Sequence, residues 1–336
     1  MTDSKNTLSL VSPSTVSLLS MHIFFFVLAF IVLTIVVSFL VTKRVDKKIE
    51  AGFTPQGHFT PVKGGVIHWA KQGDGPALVL VHGLAGNTLN FNALTKRLAQ
   101  QYTVYSIDRP GSGFSKRERD TSASFEKQSE MIVAWMDNIH LEKAFFVGHS
   151  MGGGISLRLA LDAPEKITGV TLLCPLTAPL TGGAGPLSML YIPNEGLRKF
   201  IAKSVATPYR MKVGKKHMAQ IFAPEPVPTD FATKGGGALA LHSECFFHSS
   251  SDTVAAQKSL YKQVRQYGDI SCPVGILYGE KDAILDPKSQ MPPVTTAIQL
   301  VLSKTLPGAG HMIPITQPDA CMAFINETNK LVSLEA

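Results

Sequence analysis

Three residues far apart in the chain have the types and surroundings needed for nucleophilic acyl chemistry. Ser150 sits in Gly148-His149-Ser150-Met151-Gly152, after the apolar run Ala144–Val147 and before a helix-prone stretch, Gly153 to Leu161. A serine at such a strand-to-helix turn is held in a strained backbone conformation with its hydroxyl above the sheet. Residues two before and two after crowd the turn, and glycine at both places removes the clashing side chain. The alternative is a glycine-rich turn whose serine merely caps the next helix. A serine nucleophile needs a base, and the base needs an orienting group. Asp282 ends Tyr278-Gly279-Glu280-Lys281-Asp282, after another apolar run. His311 ends Pro307-Gly308-Ala309-Gly310-His311, after the last one. All three are then expected at the carboxyl ends of strands, where open parallel sheets bind ligands.

An acyl-transfer site also needs two backbone N–H groups for the oxyanion. Met151 follows the serine at a helix N-terminus, where the dipole helps. Leu84, in His82-Gly83-Leu84-Ala85-Gly86, is the expected second donor, because flanking glycines let that backbone approach a substrate. His82 is expected to hold this loop. Several other residues compete for roles. Asp286 precedes Pro287 and reads as a helix cap. Glu280 points to the other side of its strand end. Asp108, in Asp108-Arg109-Pro110-Gly111-Ser112-Gly113, reads as a loop organiser, and His149 as a packing residue. His242 and His248 read as surface or packing groups of an inserted region.

The elements that must position these residues follow from periodicity. Short apolar runs at Val66–Ala70, Ala77–Val81, Thr103–Ile107, Ala144–Val147, Ile167–Leu173, Val274–Tyr278 and Lys304–Leu306 alternate with helical patterns. The helical patterns are Leu89–Gln100, Phe125–Ile139, the stretch after Ser150, and Asp319 to Leu334. Several runs are unbroken Val, Leu, Ile and Phe, as in strands buried on both faces. An α/β fold follows, with an open, mostly parallel central sheet flanked by helices. From Leu176 to Gln266 this rhythm stops, glycine pairs and Pro224, Pro226 and Pro228 punctuate the chain, and a largely helical cap is expected.

The joint pattern of His82-Gly83, Asp108 to Gly113, Gly148 to Gly153, Gly279 to Asp282 and Gly310-His311 resembles the α/β-hydrolase family, over residues 55–335. The chain order Ser, Asp, His is also that family's. The resemblance implies a triad of Ser150, Asp282 and His311, and neither a metal nor an organic cofactor. Together with the N-terminal segment, Gly-His-Ser-Met-Gly-Gly is similar to membrane-bound monoacylglycerol lipases and carboxylesterases. The expected domains are a tail at 1–20, a transmembrane helix at 21–42, a core at 55–175 and 267–335, and a cap at 176–266.

The membrane expectation has its own basis. No charged residue lies between Lys5 and Lys43, and Ile23 to Val41 is almost wholly apolar. About 20 such residues span a bilayer. The stretch is longer than a signal peptide's apolar region and no small-residue cleavage site follows, so a retained anchor is expected. Lys43, Arg44, Lys47 and Lys48 follow it, which places the catalytic body on the cytoplasmic side.

Overall composition narrows the rest. Apolar residues make up 45% and charged residues 17%, which excludes a disordered chain. The net charge is +7, but no basic run is interleaved with aromatics, so no nucleic-acid partner is expected. Cys174, Cys245, Cys272 and Cys321 lack metal spacing and read as free thiols. The cap is basic and rich in Met and aromatics, which suits acyl chains and anionic lipid, although those side chains could equally form the cap's own core. The expected function is a membrane-anchored serine hydrolase of carboxylic, lipid-type esters such as monoacylglycerols. The alternatives are a carbon–carbon bond hydrolase of diketones using the same triad, and a non-catalytic tethered binding protein.

Overall fold

The computed structural model describes residues 13–180 and 185–333. The first part of the expected tail, Gly182-Gly183 and Leu334 lie outside that range. One mixed sheet organises the described chain. Its strands are β1 (His58–Val62), β2 (Gly65–Gln72), β3 (Ala77–Val81), β4 (Thr103–Ile107), β5 (Lys116–Arg117), β6 (Ala144–His149), β7 (Ile167–Leu173), β8 (Val274–Gly279) and β9 (Val301–Leu306). Their order is β1-β2-β4-β3-β6-β7-β8-β9, with β5 beside β2. β2 runs antiparallel to β1, β4 and β5, and all pairs from β4 to β9 are parallel.

The seven expected apolar runs all become strands. β6 and β8 are buried at every residue, as unbroken apolar runs require. β1 and β5 gave no sequence signal because they lie at the antiparallel end. β1 alternates between exposed and half-buried residues and contains Pro61, so no hydrophobic run marks it.

Helices cover both faces. The long N-terminal helix α1 (Pro13–Gly52) is followed by α2 (Asn92–Leu98), α3 (Phe125–Asn138) and α4 (Met151–Asp162). α3 starts where Ser124 accepts the Lys127 N–H at 3.2 Å and buries Met131, Ile132, Trp135 and Met136 on one face. A C-terminal helix, Pro318–Ser333, packs on β7, β8 and α2. Among the described residues, α1 is the one helix long and apolar enough to cross a membrane, a property shared by membrane spans and signal sequences. Its side chains from Met21 to Phe39 are largely exposed, and Thr34 Oγ1 donates back to the Phe30 carbonyl at 2.8 Å.

The region between β7 and β8 is helical where it is described. It contains α5 (Glu195–Lys203), α6 (Ala206–Phe222) and α7 (Ser243–Gln263). Its large apolar residues divide between two environments. Leu190, Phe222, Phe246 and Phe247 are buried, whereas Tyr191, Phe200 and Met211 are exposed. α7 crosses from the inserted helices to the core. Its first turns pack with α5, and its last turns reach the sheet layer, where Gln263 Nε2 donates to the Gly154 carbonyl at 2.8 Å.

Asp252, midway along α7, ties the two together. It is fully buried and accepts Arg109 Nη1 at 2.9 Å and Arg117 Nη1 at 2.7 Å. Burial pushes its carboxyl up, but Arg117 and Arg109 outweigh that and hold it below the usual carboxylate range. Removing one partner of a buried ion cluster costs about 3–5 kcal/mol. Asp252→Ala is therefore expected to lose that much stability by denaturant unfolding of the purified protein. A loss below about 1 kcal/mol would remove the cluster from the list of stabilising contacts.

Candidate active site

The turn from β6 into α4 has the shape that its glycines foretell. Ser150 has φ 54° and ψ −123°, a conformation rarely taken by a residue with a side chain. The surroundings enforce it. A Cβ on Gly148 would lie 2.5 Å from the Gly152 carbonyl oxygen, and one on Gly152 would lie 2.1 Å from that of Val81. The Ser150 N–H donates to Leu173 at 3.0 Å and its carbonyl accepts Leu176 N at 2.9 Å, so β7 grips the turn on its far side. The Ser150 side chain makes no capping bond to α4, which removes the helix-cap alternative.

Asp282 and His311 meet although they come from different strand ends. His311 Nδ1–H donates to Asp282 Oδ2 at 2.8 Å, and both residues are buried. Asp282 Oδ1 accepts the N–H groups of Ile284 at 2.8 Å and Leu285 at 2.9 Å. Burial raises the carboxyl, but His311 and the two backbone donors more than compensate, so Asp282 lies below its ordinary range and is ionised near neutrality. With Nδ1 committed, Nε2 of His311 is the ring atom left for proton transfer. His149 is the link to Ser150. It adjoins the serine in sequence, and its Nε2–H donates to the His311 carbonyl at 3.0 Å. The two imidazoles lie 5.0 Å apart.

The loop after β3 closes the other side. Gly83 lies so near the serine that any Cβ there would sit 2.9 Å from Ser150 Cβ. Three donors converge on the Gly83 carbonyl: His82 Nδ1 at 2.8 Å, Arg109 Nη2 at 3.1 Å and Gly86 N at 3.2 Å. A trans peptide directs its N–H opposite to its C=O. Pinning the Gly83 carbonyl therefore turns the Leu84 N–H away from Arg109. Met151 N is one of the first-turn N–H groups that α4 leaves without an intrahelical partner.

A sequence model of the alpha/beta hydrolase fold matches residues 76–318. The chain belongs to the α/β-hydrolase family. The acetyltransferase component of an acetoin-cleaving system from Pseudomonas putida is 28% identical over 263 residues, which is 75% of this chain and 63% of that protein. The chain spans only part of its first curated relatives, covering 32%, 63% and 36% of their lengths. An alpha/beta hydrolase fold protein from Burkholderia ambifaria superposes with a TM-score of 0.68 at 20% identity, over 80% of this chain and 97% of that one. A membrane phospholipase A superposes with a TM-score of 0.60 at 19% identity, over 94% and 98%.

The competing residues of this α/β-hydrolase are occupied elsewhere. Asp286 caps the turn after it by accepting Lys288 N at 3.1 Å, and Glu280 accepts Gly308 N at 2.9 Å in an exposed position. Asp108 accepts Thr88 N at 2.6 Å, Phe114 N at 2.8 Å and His68 Nδ1 at 2.8 Å, which makes it a loop organiser. His242 caps α7, and His248 lies 3.4 Å from Arg117.

Sequence reasoning missed the work of Arg109. It lies inside a recognised motif, but its partners Gln128 and Asp252 are 19 and 143 positions away, and no local pattern joins them. It also missed Cys174, whose Sγ lies within 4.8 Å of ligand atoms on Asp282 and His311. These three do not suit a metal. Burial and the Asp282 charge push the Cys174 thiol well up, and Asp282 is already saturated with donors.

Three buried imidazoles set a pH limit. Burial, reinforced by Arg109, lowers His82 to about 4. Burial and His311 lower His149 to about 3, and burial and Arg117 lower His248 to about 4. Each takes up a proton near 6.5 when unfolded but stays neutral when folded, so the unfolded state gains as pH falls. Thermal stability is expected to drop steadily between about pH 6.5 and pH 4. His248→Gln should flatten part of this slope, and an unchanged slope in melting temperature against pH would exclude that residue as a source.

Proposed function

We propose that this chain is a membrane-anchored serine hydrolase that cleaves carboxylic esters of lipid type, monoacylglycerols among them. One observation carries the reading: His311 Nδ1 is fixed on a buried, ionised Asp282, and the ring of His149, next in sequence to the strained, non-capping Ser150, holds the His311 backbone. In this reading His311 Nε2 takes the Ser150 proton while Oγ attacks the ester carbonyl carbon. The Leu84 and Met151 N–H groups receive the oxyanion. Asp282 holds the ring orientation and stabilises the imidazolium. The tetrahedral intermediate collapses, His311 returns the proton to the departing alcohol, and an acyl-Ser150 ester remains. Water, deprotonated by His311, then attacks the acyl carbon; the bond from that carbon to Ser150 Oγ breaks, His311 returns the proton to Oγ, and the carboxylic acid leaves.

The lipid preference draws on three features: the apolar helix α1, the cap's exposed aromatics, and the likeness to a membrane phospholipase A over 94% of the chain. An enzyme held at a bilayer meets its lipid substrates at high local concentration. The basic cluster Lys43, Arg44, Lys47 and Lys48 after the apolar stretch favours a cytoplasmic catalytic body.

The test is a fluorophosphonate probe followed by an ester panel. The wild type should label at one serine and hydrolyse monoacylglycerols. Ser150→Ala should lose labelling and at least ~10⁴-fold in kcat, and Asp282→Asn roughly 10⁴-fold with the fold intact. A folded wild type that neither labels nor turns over any ester would sink the proposal. Turnover of diketones instead of esters would reassign the same triad to carbon–carbon bond hydrolysis.

A further inference from the structure

α1 does not end where its apolar stretch ends. The uncharged run closes with Val41-Thr42, and the helix continues unbroken to Gly52. Over these last turns burial follows a helical period. Thr42 and Ile49 are buried and Val45 and Asp46 partly so, whereas Lys43, Arg44, Lys47 and Lys48 are exposed. The first set forms one face, and that face docks on the cap. Thr42 Oγ1 donates to the Ser204 carbonyl at 2.7 Å. Asp46 accepts Ser243 N at 2.8 Å and Ser243 Oγ at 2.6 Å. Ser243 opens α7, so a carboxylate on α1 caps a cap helix at its positive end. His242 Nδ1 accepts Glu244 N, which leaves its Nε2–H to donate to Glu50 Oε1 at 3.2 Å.

These contacts set a level on the cap. If α1 spans a bilayer, as the proposed function has it, the hydrocarbon edge falls near Thr42. Each further residue climbs 1.5 Å, so Lys43 to Lys48 lie within about 10 Å of that edge, among the headgroups. Ser204, bound to Thr42, lies at the same level, and it forms the corner between α5 and α6. Around this corner Leu197, Phe200, Val205 and Tyr209 are exposed by 51%, 50%, 37% and 48%. Leu197 and Phe200 are three apart on α5, and Val205 and Tyr209 flank the start of α6 four apart, so each pair forms a ridge. The buried side of the corner reaches the candidate active site. Ala202 and Ala206 pack in a cluster with Phe246 and Phe247 that touches Leu84.

We propose that the α5–α6 corner of the cap is a bilayer-contacting surface, seated in the leaflet that α1 enters. Its apolar ridge lies at the acyl–headgroup boundary, and Lys43, Arg44, Lys47 and Lys48 lie on anionic headgroups. This surface rests on α1 being a membrane span. It brings acyl esters from the leaflet to the side of the cap that packs on Leu84. Charge complementarity and continuity with the span both select a lipid occupant.

The test uses the full chain in vesicles of phosphatidylcholine and phosphatidylglycerol, with and without bromine on the upper acyl carbons. Phe200→Trp adds an indole at the ridge. The native Trp135 is buried in the core and the half-buried Trp69 packs against it, their rings 5.9 Å apart, so the signal of the wild-type chain in the same vesicles is subtracted as background. Flotation with the vesicles reports α1, and bromine quenching reports the corner. The expected result is flotation together with loss of the added emission in brominated vesicles only. Flotation without any quenching overturns the bilayer contact and frees the ridge for a protein partner. Failure to float overturns the membrane span itself. Retained fluorophosphonate labelling confirms that the variant is folded.

Discussion

Arg109 has no exposed surface, and its guanidinium carries five N–H donors and no acceptor into the interior. Such a group is tolerated in an interior only when its donors are satisfied and a counter-charge is at hand. Those demands gather three segments around it. Nε donates to the His82 carbonyl at 2.9 Å, Nη2 to Gly83, and Nη1 to Gln128 of α3 and to Asp252 of α7. Its backbone N–H donates to His82 Nε2 at 3.0 Å, which places the ring proton on Nδ1, the atom that meets Gly83. Arg109 thus sets the His82 tautomer through its backbone N–H, and through its guanidinium the direction of the loop beside Ser150 and the seat of α7.

The site uses a second constraint of the same kind. Asp282 stays ionised in a buried place because two backbone N–H groups and one imidazole N–H face it. A carboxylate saturated in this way can turn an imidazole without taking its proton. His149, kept neutral by burial, secures the backbone of His311 rather than competing with it. The parallel strands β6, β7 and β8 bring their carboxyl ends to one rim, where Ser150 follows β6 and Asp282, which follows β8, meets His311.

α1 adds a constraint from outside the core. Its polar turns leave one face for the cap and the other for four basic side chains, and Asp46 supplies the charge that the α7 N-terminus favours. α1 and the helices between β7 and β8 are therefore joined by directional bonds.

The amino-acid sequence alone determined the strands of the parallel region, the main helices around them, and the sharp turn that carries Ser150. Those features are written locally: an unbroken apolar run codes for a strand buried on both faces, and Gly148 and Gly152 code for a turn that tolerates no side chain. The sequence did not reveal β1, whose residues are exposed or half-buried, or β5, which is only two residues long. Nor could it reveal the Arg109–Asp252 pair or the seat of Thr42 and Asp46 on the cap. Contacts of that kind join residues more than a hundred positions apart, and only the folded chain, by burying charges that must then be matched, decides which partners meet.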